Sequence, residues 1–182
     1  MARLFLGLDL PPEVDLHLEL MSTGVPGARW EGRDKFHLTL LYLGEVDGRV
    51  QRGVIDALTG LRFAPFEMTL KGVGFFPPRG DPTSLWAGVA DPGPVIALRQ
   101  RIDARLRTVD VTPDARKFIP HVTLARTADS PVAAIVAYIS DHVLFRSETF
   151  RVEELFLYSS VRTSKGSHYR REAGFPLRTA ED

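Results

Sequence analysis

The stretch Phe36-His37-Leu38-Thr39-Leu40 returns later in the chain as Pro120-His121-Val122-Thr123-Leu124. Each stretch has a histidine, an apolar residue, a threonine and another apolar residue, a pattern typical of a β-strand. Because side chains alternate between the faces of a strand, each histidine and its threonine share one face, about 6–7 Å apart. The apolar residues share the other face, which is predicted to pack into a core.

The two motifs belong to a longer internal repeat. Leu4-Phe5-Leu6-Gly7-Leu8 resembles Leu85-Trp86-Ala87-Gly88-Val89 at an offset of 81 residues, and the histidines are 84 residues apart. Phe66 onward resembles Phe150 onward more weakly, also at 84. Both halves therefore follow the order strand, helix, His-x-Thr strand, helix, strand, and duplication predicts two related lobes whose equivalent motif strands meet at a central seam.

Further elements follow from apolar spacing and from glycine and proline. In the helix from Pro94 to Leu106, an apolar stripe is predicted to face the core while the arginines lie outside. Ser130 is predicted to cap a helix that Pro131 starts. The other predicted helices begin at Pro12 and near residue 48; the other strands cover 3–10, 66–76, 84–90, 150–158 and 169–175, with a turn over 159–166.

Composition limits the function classes. Of 182 residues, 44% are apolar and 25% charged, and 23 basic residues balance 23 acidic ones, so no broad polyanion-binding surface is expected. The absence of cysteine excludes disulfides, thiol chemistry and cysteine-based metal sites. No apolar run approaches 18 residues, and the N-terminus lacks a signal-peptide cleavage pattern. A cytoplasmic protein that does not interact with membranes is therefore expected.

Two imidazoles and two hydroxyls around one point suit a phosphate. A histidine titrates near pH 6.5 when unperturbed, so one of the pair can act as a general base while the other acts as a general acid. The threonine hydroxyls, Thr39 and Thr123, can donate to the non-bridging phosphate oxygens. The scheme needs no metal or other cofactor, and a strained cyclic ribose phosphate is a particularly suitable substrate.

Other residues leave alternatives open. A zinc site would need a third ligand, but His17, His142 and His168 are interpreted as ordinary surface residues. Strict alternation turns Arg126 away from His121, unless the strand ends or bulges near Ala125. The aromatic residues that could stack on a nucleobase are Trp30, Phe5, Tyr42, Phe75 and Tyr158, and core packing is the competing interpretation for each.

With these motifs the chain resembles the two-histidine phosphoesterases, specifically the RNA 2′,3′-cyclic phosphodiesterases once named 2′–5′ RNA ligases. The residues that carry the resemblance are Phe36-His37-Leu38-Thr39-Leu40 with Leu43-Gly44, and Pro120-His121-Val122-Thr123-Leu124-Ala125-Arg126. The opening Arg3-Leu4-Phe5-Leu6-Gly7-Leu8-Asp9, Trp30, and Tyr158-Ser159-Ser160 with Gly166 and Tyr169 are also similar. The likeness covers nearly the whole chain.

The resemblance implies an α+β, bilobal, pseudo-two-fold duplicated fold, with antiparallel sheets flanking a central cleft and helices outside. It implies one two-lobed domain over residues 1–182, with lobes near 1–76 and 83–177 and strand exchange between them allowed. It further implies hydrolysis of a terminal 2′,3′-cyclic phosphate to a 2′-phosphate, with His37 as proton donor and His121 as proton acceptor. Thr39, Thr123 and Arg126 would bind phosphate, and an RNA 3′ end or small nucleotide would be the partner of a monomer.

Other functions remain alternatives at this point. The same fold would serve a small cyclic nucleotide, an ADP-ribose cyclic phosphate or a 2′–5′-linked oligoadenylate, or 2′–5′ joining of RNA. A second class is a module that holds RNA ends without turnover. A third is a purely structural domain, which would make the paired motifs a coincidence.

Overall fold

The computed structural model describes residues 2–111, 116–164 and 166–179. The rest of the predicted 1–182 domain lies outside the described residues. Within these ranges the strands are β1 (Ala2–Asp9), β2 (Arg29–Trp30), β3 (His37–Val46), β4 (Phe66–Met68), β5 (Leu70–Phe76), β6 (Ser84–Val89), β7 (His121–Arg126), β8 (Phe150–Val152), β9 (Glu154–Thr163) and β10 (Gly166–Pro176). The α-helices are α1 (Pro12–Leu20), α2 (Gly48–Leu58), α3 (Gly93–Arg105) and α4 (Val132–Asp141).

Eight of the described strands form one antiparallel sheet, in the order β10-β9-β1-β3-β7-β6-β5 with β2 alongside β7. The motif strands β3 and β7 occupy its centre and are joined through the pair Leu38–Val122. A separate ladder pairs β4 with β8. The α+β antiparallel class is confirmed, but the expected separate sheets are continuous through the β3–β7 junction, because the two motif strands pair directly.

The halves of the repeat are interleaved in this sheet. The last long strand of the first half, β5, pairs with β6 of the second half, and β9 of the second half pairs with β1 of the first. This arrangement brings the central strands of both halves together. The lobe boundaries near 1–76 and 83–177 stay a prediction.

The core lies on one face of the large sheet, where the helices pack. Leu38, Leu40, Val122 and Leu124 are at most 1% exposed and join one hydrophobic cluster with the buried sides of the four helices. Three of the helices begin at residues that suit a helix N-terminus. Proline stands in the first turn of α1 and α3, where no backbone N–H is needed, and the Asp47 side chain accepts a hydrogen bond from the Val50 amide at 2.8 Å to cap α2. The opposite face is left free to carry the histidines. No described helix has the length and apolar character needed to cross a membrane.

Three local predictions are wrong. Pro131, not Ser130, is the N-cap of α4, and no side chain caps this helix. The segment 159–166 is not a turn, because β9 continues to Thr163 and pairs with β10, which is longer than predicted. Its polar residues reflect the solvent-exposed end of a hairpin. The strand predicted over 66–76 is divided at Thr69, since β4 leaves the large sheet to pair with β8.

Gly74 and Gly53 predict opposite responses to alanine. A Cβ on Gly74 would lie 2.3 Å from the Trp86 ring across the β5–β6 ladder, whereas a Cβ on Gly53 in α2 would meet Val109 at an ordinary 3.4 Å. We expect Gly74→Ala to lower the free energy of unfolding by about 1–3 kcal/mol through overpacking. Gly53→Ala should raise it by up to about 1 kcal/mol through helix propensity. Urea denaturation of both variants measures this, and an unchanged midpoint for Gly74→Ala would contradict the packing.

Candidate active site

The two motifs place their polar side chains side by side on the sheet face opposite the core. Leu38 and Val122 are direct partners in the antiparallel β3–β7 pair. Continuing that antiparallel register places His37 opposite Thr123 and Thr39 opposite His121. All four side chains are partly exposed, whereas their apolar neighbours are buried. The structure thus brings together the two histidines and two threonines singled out from the sequence.

Matching hydrogen bonds orient the two imidazoles. His37 Nδ1 lies 2.7 Å from the Lys35 carbonyl oxygen, and His121 Nδ1 lies 2.6 Å from the Ile119 carbonyl oxygen. A carbonyl only accepts, so each Nδ1 carries the hydrogen and each Nε2 is left to exchange a proton with a ligand. His37 Nε2 is 2.9 Å from Thr39 Oγ1. Both rings therefore offer the same nitrogen to the exposed face.

A β-bulge at the same place in each motif strand changes which residues face the site. Leu6 pairs with Leu41 and Gly7 with Thr39, so Leu40 is an extra residue in β3. Leu85 pairs with Ala125 and Trp86 with Thr123, so Leu124 is extra in β7. After each bulge the alternation is reversed, and Tyr42 and Arg126 are the exposed residues at the equivalent positions. Arg126 thereby reaches the cavity that His121 lines, against the strict-alternation argument.

Aromatic rings from other strands of the sheet pack against both imidazoles. Phe5, 2% exposed, has its ring centroid 4.8 Å from that of His37, and Tyr169 approaches the same imidazole edge-on at 5.3 Å. Phe76 and Trp86 lie 4.9 and 6.0 Å from His121. Phe5 and Trp86 correspond in the internal repeat, and this correspondence is the sequence signal for their shared role. Phe5 is therefore a support for His37 rather than an exposed stacking platform.

Two cavities that differ in the charge of their lining residues open beside this face. One, of about 360 Å³, is lined by His37 and by both acidic and basic side chains. The other, of about 630 Å³, contains Thr39, Tyr42, His121, Thr123 and Arg126. The described residues that line the larger cavity include four cations and no carboxylate: Arg99, Arg116, Lys117 and Arg126. The larger cavity thus presents positive charge to an anionic ligand.

Burial dominates the electrostatics of both imidazoles. It lowers the pKa of His37 below 6.5, while the Lys35 carbonyl and Asp9 raise that pKa and the charge of His121 lowers it. Burial likewise lowers the pKa of His121, the Ile119 carbonyl raises it, and the positive charge of Arg126 lowers it. The effect of His121 on the pKa of His37 agrees with their closeness, and a bound phosphate would raise both pKa values by favouring the imidazolium.

Arg99 of α3 is a residue that sequence reasoning placed wrongly. It was expected outside with the other arginines of its helix, but it is 8% exposed. Its Nη1 donates to the Leu40 carbonyl at 2.6 Å, and its Nε donates to Asp103 at 2.9 Å. The guanidinium carbon also lies 5.3 Å from the Phe118 ring centroid. Arg99 therefore secures the carbonyl of the bulged residue that redirects Tyr42.

Other candidates lie elsewhere. Trp30 packs against the core and lies 5.4 Å from the ring of Tyr138, and it is not among the residues that line the two cavities. His142 stacks on Tyr138 at 4.0 Å and is half-buried, unlike the surface residue expected. His168 lies on β10 and is exposed, as expected of a surface residue. Within the described ranges, no group of three or more histidine, cysteine or acidic side chains is placed to hold a metal ion.

Comparison with known proteins places this arrangement in a family. The family model described as the 2′-5′ RNA ligase superfamily matches residues 16–163, which include both motifs. The chain belongs to the 2′-5′ RNA ligase superfamily. A superfamily relative from Aeropyrum pernix, called RNA 2′,3′-cyclic phosphodiesterase, is 31% identical over 153 residues, which are 83% of this chain and 86% of that protein. A relative of the same name from Thermus thermophilus is 30% identical and covers 96% of each chain.

Solved structures share the fold of this superfamily member. The crystal structure of TT0787 from Thermus thermophilus has a TM-score of 0.81 and 28% identity, and the match covers 98% of this chain and 99% of that one. Escherichia coli LigT complexed with 3′-AMP has a TM-score of 0.76 at 24% identity, covering 97% and 98%. The α+β fold predicted from the sequence is therefore shared with these solved structures.

Proposed function

We propose that this protein hydrolyses terminal 2′,3′-cyclic phosphates of RNA to 2′-phosphates, with His37 and His121 as the acid–base pair. The observation that carries the proposal is the shared face of β3 and β7, on which both histidines and both threonines lie, with the histidine Nδ1 atoms bound to backbone carbonyls. The relatives called RNA 2′,3′-cyclic phosphodiesterase support the same reaction. The activity is that of a hydrolase acting on phosphodiester bonds.

The reaction is an in-line displacement at phosphorus. Neutral His121 takes a proton from water through Nε2, and the water oxygen forms a bond to phosphorus. The bond from phosphorus to the ribose 3′ oxygen breaks on the opposite side, and protonated His37 delivers its Nε2 proton to that oxygen. The 2′ oxygen keeps its phosphate, and reversal of the two protonation states through solvent completes the cycle.

The remaining polar groups stabilise the charged phosphate oxygens. The Thr39 and Thr123 hydroxyls lie on the same face as the imidazoles and can donate to the non-bridging oxygens. Arg126, brought to this cavity by the bulge at Leu124, supplies a fixed positive charge and a planar fork of donors. Tyr42, at the equivalent position of β3, lines the same cavity and is available to contact the nucleoside.

The larger cavity favours an RNA end over an isolated nucleotide as substrate. Its cations include Lys117 as well as Arg126, and Lys117 can offer charge to phosphates further along the strand. Since the net charge of the whole chain is zero, positive charge is concentrated at this cavity rather than spread over the surface. The grip is therefore expected on a short terminus rather than on a long duplex.

Product regiochemistry tests the proposal. A dinucleotide ending in a 2′,3′-cyclic phosphate, incubated with the protein in EDTA, should give the 2′-phosphate alone, as followed by phosphorus NMR. A 3′-phosphate product would contradict the assigned leaving oxygen. Tight product binding without hydrolysis at any pH would instead identify a module that holds RNA ends.

The lowered histidine pKa values predict a difference between the two kinetic profiles. In the free protein, burial keeps the pKa of both imidazoles below 6.5, so the kcat/KM profile should centre below that pH. The bound anionic phosphate favours the protonated rings and raises both pKa values, so the kcat profile should lie at higher pH. Steady-state kinetics between pH 4.5 and 9 measures both curves, and a kcat profile on the acidic side of kcat/KM would contradict this electrostatic account.

A further inference from the structure

The two halves of the site differ most clearly in the residue opposite each histidine. Asp9 is the direct partner of His37 in the β1–β3 ladder, whereas Gly88 is the partner of His121 in the β6–β7 ladder. Direct antiparallel partners project to the same face, with Cβ atoms about 4.5–5.5 Å apart. One imidazole therefore has a carboxylate beside it at a position where the other has no side chain.

Asp9 is held in place by two donors from neighbouring strands. The Tyr158 hydroxyl donates to one carboxylate oxygen and Arg171 Nη2 donates to the other. Arg171 Nε also lies 3.3 Å from the Tyr158 hydroxyl, and its guanidinium carbon is 4.0 Å from the Phe156 ring centroid. The carboxylate is thus fixed rather than free to swing into solvent.

The charge beside His121 has the opposite sign. Arg126 is the exposed residue after the bulge of β7, and the equivalent residue of β3 is the uncharged Tyr42. A pseudo-symmetric pair of motifs therefore sits in an unsymmetrical field, with a carboxylate opposite His37 and a guanidinium beside His121. Such a field distinguishes two imidazoles that have the same backbone hydrogen bond and similar aromatic neighbours.

We propose that Asp9 is a positioning residue that makes His37, rather than His121, the proton donor of the pair. This inference rests on the proposed function, because it concerns the direction of proton transfer in that reaction. A fixed negative charge stabilises the imidazolium of His37, and the positive charge of Arg126 keeps His121 neutral as a base. Asp9 raises the pKa of His37 and Arg126 lowers that of His121 in agreement with this division, although burial lowers both.

Other charged and titratable groups surround His37. From β7 the facing group is His121, and from β9 and β10 they are Tyr158, Tyr169 and Arg171. The cavity wall adds Asp15 from α1 and the side chains of the segment before β3: Arg33, Asp34 and Lys35. Asp9 is the carboxylate whose ladder position is directly opposite the imidazole, so its removal is the specific test.

Asp9→Asn keeps the shape of the side chain and removes its charge. We expect the NMR titration midpoint of His37 to move to lower pH and the basic limb of kcat/KM to follow it. At pH 8, kcat/KM should fall about three- to tenfold more than at pH 5.5, as expected for loss of one nearby charge at the protein surface. Asp34→Asn, which removes a carboxylate from the same cavity, is the matched control and should leave the His37 midpoint in place.

Arg171→Gln tests the same electrostatic effect and should shift the His37 midpoint in the direction opposite to Asp9→Asn. It removes the cation that partly neutralises Asp9, so the His37 midpoint should move to higher pH. Movement in the same direction for both variants, or equal losses at every pH with an unmoved midpoint, would overturn the inference and leave Asp9 a structural role. The NMR titration requires no turnover, so a shifted His37 in a protein that fails to hydrolyse cyclic phosphate would refute the proposed function and not the field of Asp9.

Discussion

His37→Ala and His121→Ala are each expected to lower kcat on a 2′,3′-cyclic phosphate by about 10²–10⁴-fold. Each imidazole handles a different proton in the same displacement, and each presents its Nε2 through an Nδ1 hydrogen bond to a backbone carbonyl. Alanine leaves the strand pairing unchanged because both side chains are on the open face. The loss should therefore appear in kcat rather than in folding.

The matched control is His168→Ala, which removes an exposed histidine from β10 and should leave kcat unchanged. The double variant His37→Ala, His121→Ala should lose less than the product of the single losses, since the two groups act in one step. A loss below tenfold from either single variant, in a protein with unchanged circular dichroism, would make the acid–base pair untenable.

Arg126→Gln is expected to lower kcat/KM by about 10²-fold, the size usual for removal of one charged donor to a developing oxyanion. The bulge at Leu124 brings this guanidinium to the wall that His121 and Thr123 share, so its charge acts on the transferring phosphate. Loss of that charge should also raise the pKa of His121, which Arg126 lowers, and the acidic limb of the profile should move to higher pH.

Two further variants separate geometry from charge at this position. Arg126→Lys keeps the charge and should recover part of the activity, because an ammonium cannot reproduce the planar fork. Arg52→Gln changes an exposed arginine of α2 and controls for the loss of one positive charge. A change of less than threefold in Arg126→Gln would show that this residue is a surface arginine at a strand end.

The polar face of the site was predictable from the sequence because strand alternation is local. His37 with Thr39, and His121 with Thr123, share a face wherever their strands lie in the fold. The internal repeat then predicted that the two strands meet, and their direct pairing through Leu38 and Val122 agrees with that expectation. Their catalytic roles stay a prediction.

The bulges could not be predicted, since an extra residue in one strand is defined by the register of its neighbour. Without Leu124 as the extra residue, parity turns Arg126 away from the site. The burial of Arg99 could not be predicted for a related reason. Arg99 borders the apolar stripe of α3, and its burial depends on a hydrogen bond to the Leu40 carbonyl, which belongs to a strand distant in sequence. Asp9 likewise has no local signal, because its relation to His37 exists only in the β1–β3 ladder.

The most direct test of the central claim is the pH dependence of kcat/KM for a cyclic-phosphate dinucleotide, measured for the unmodified protein and both histidine variants. A base and an acid on opposite sides of one phosphorus predict a bell-shaped curve for the unmodified protein. His121→Ala should abolish the acidic limb and His37→Ala the basic limb. Survival of both limbs in either variant would show that the two imidazoles do not share the proton transfers at the phosphate.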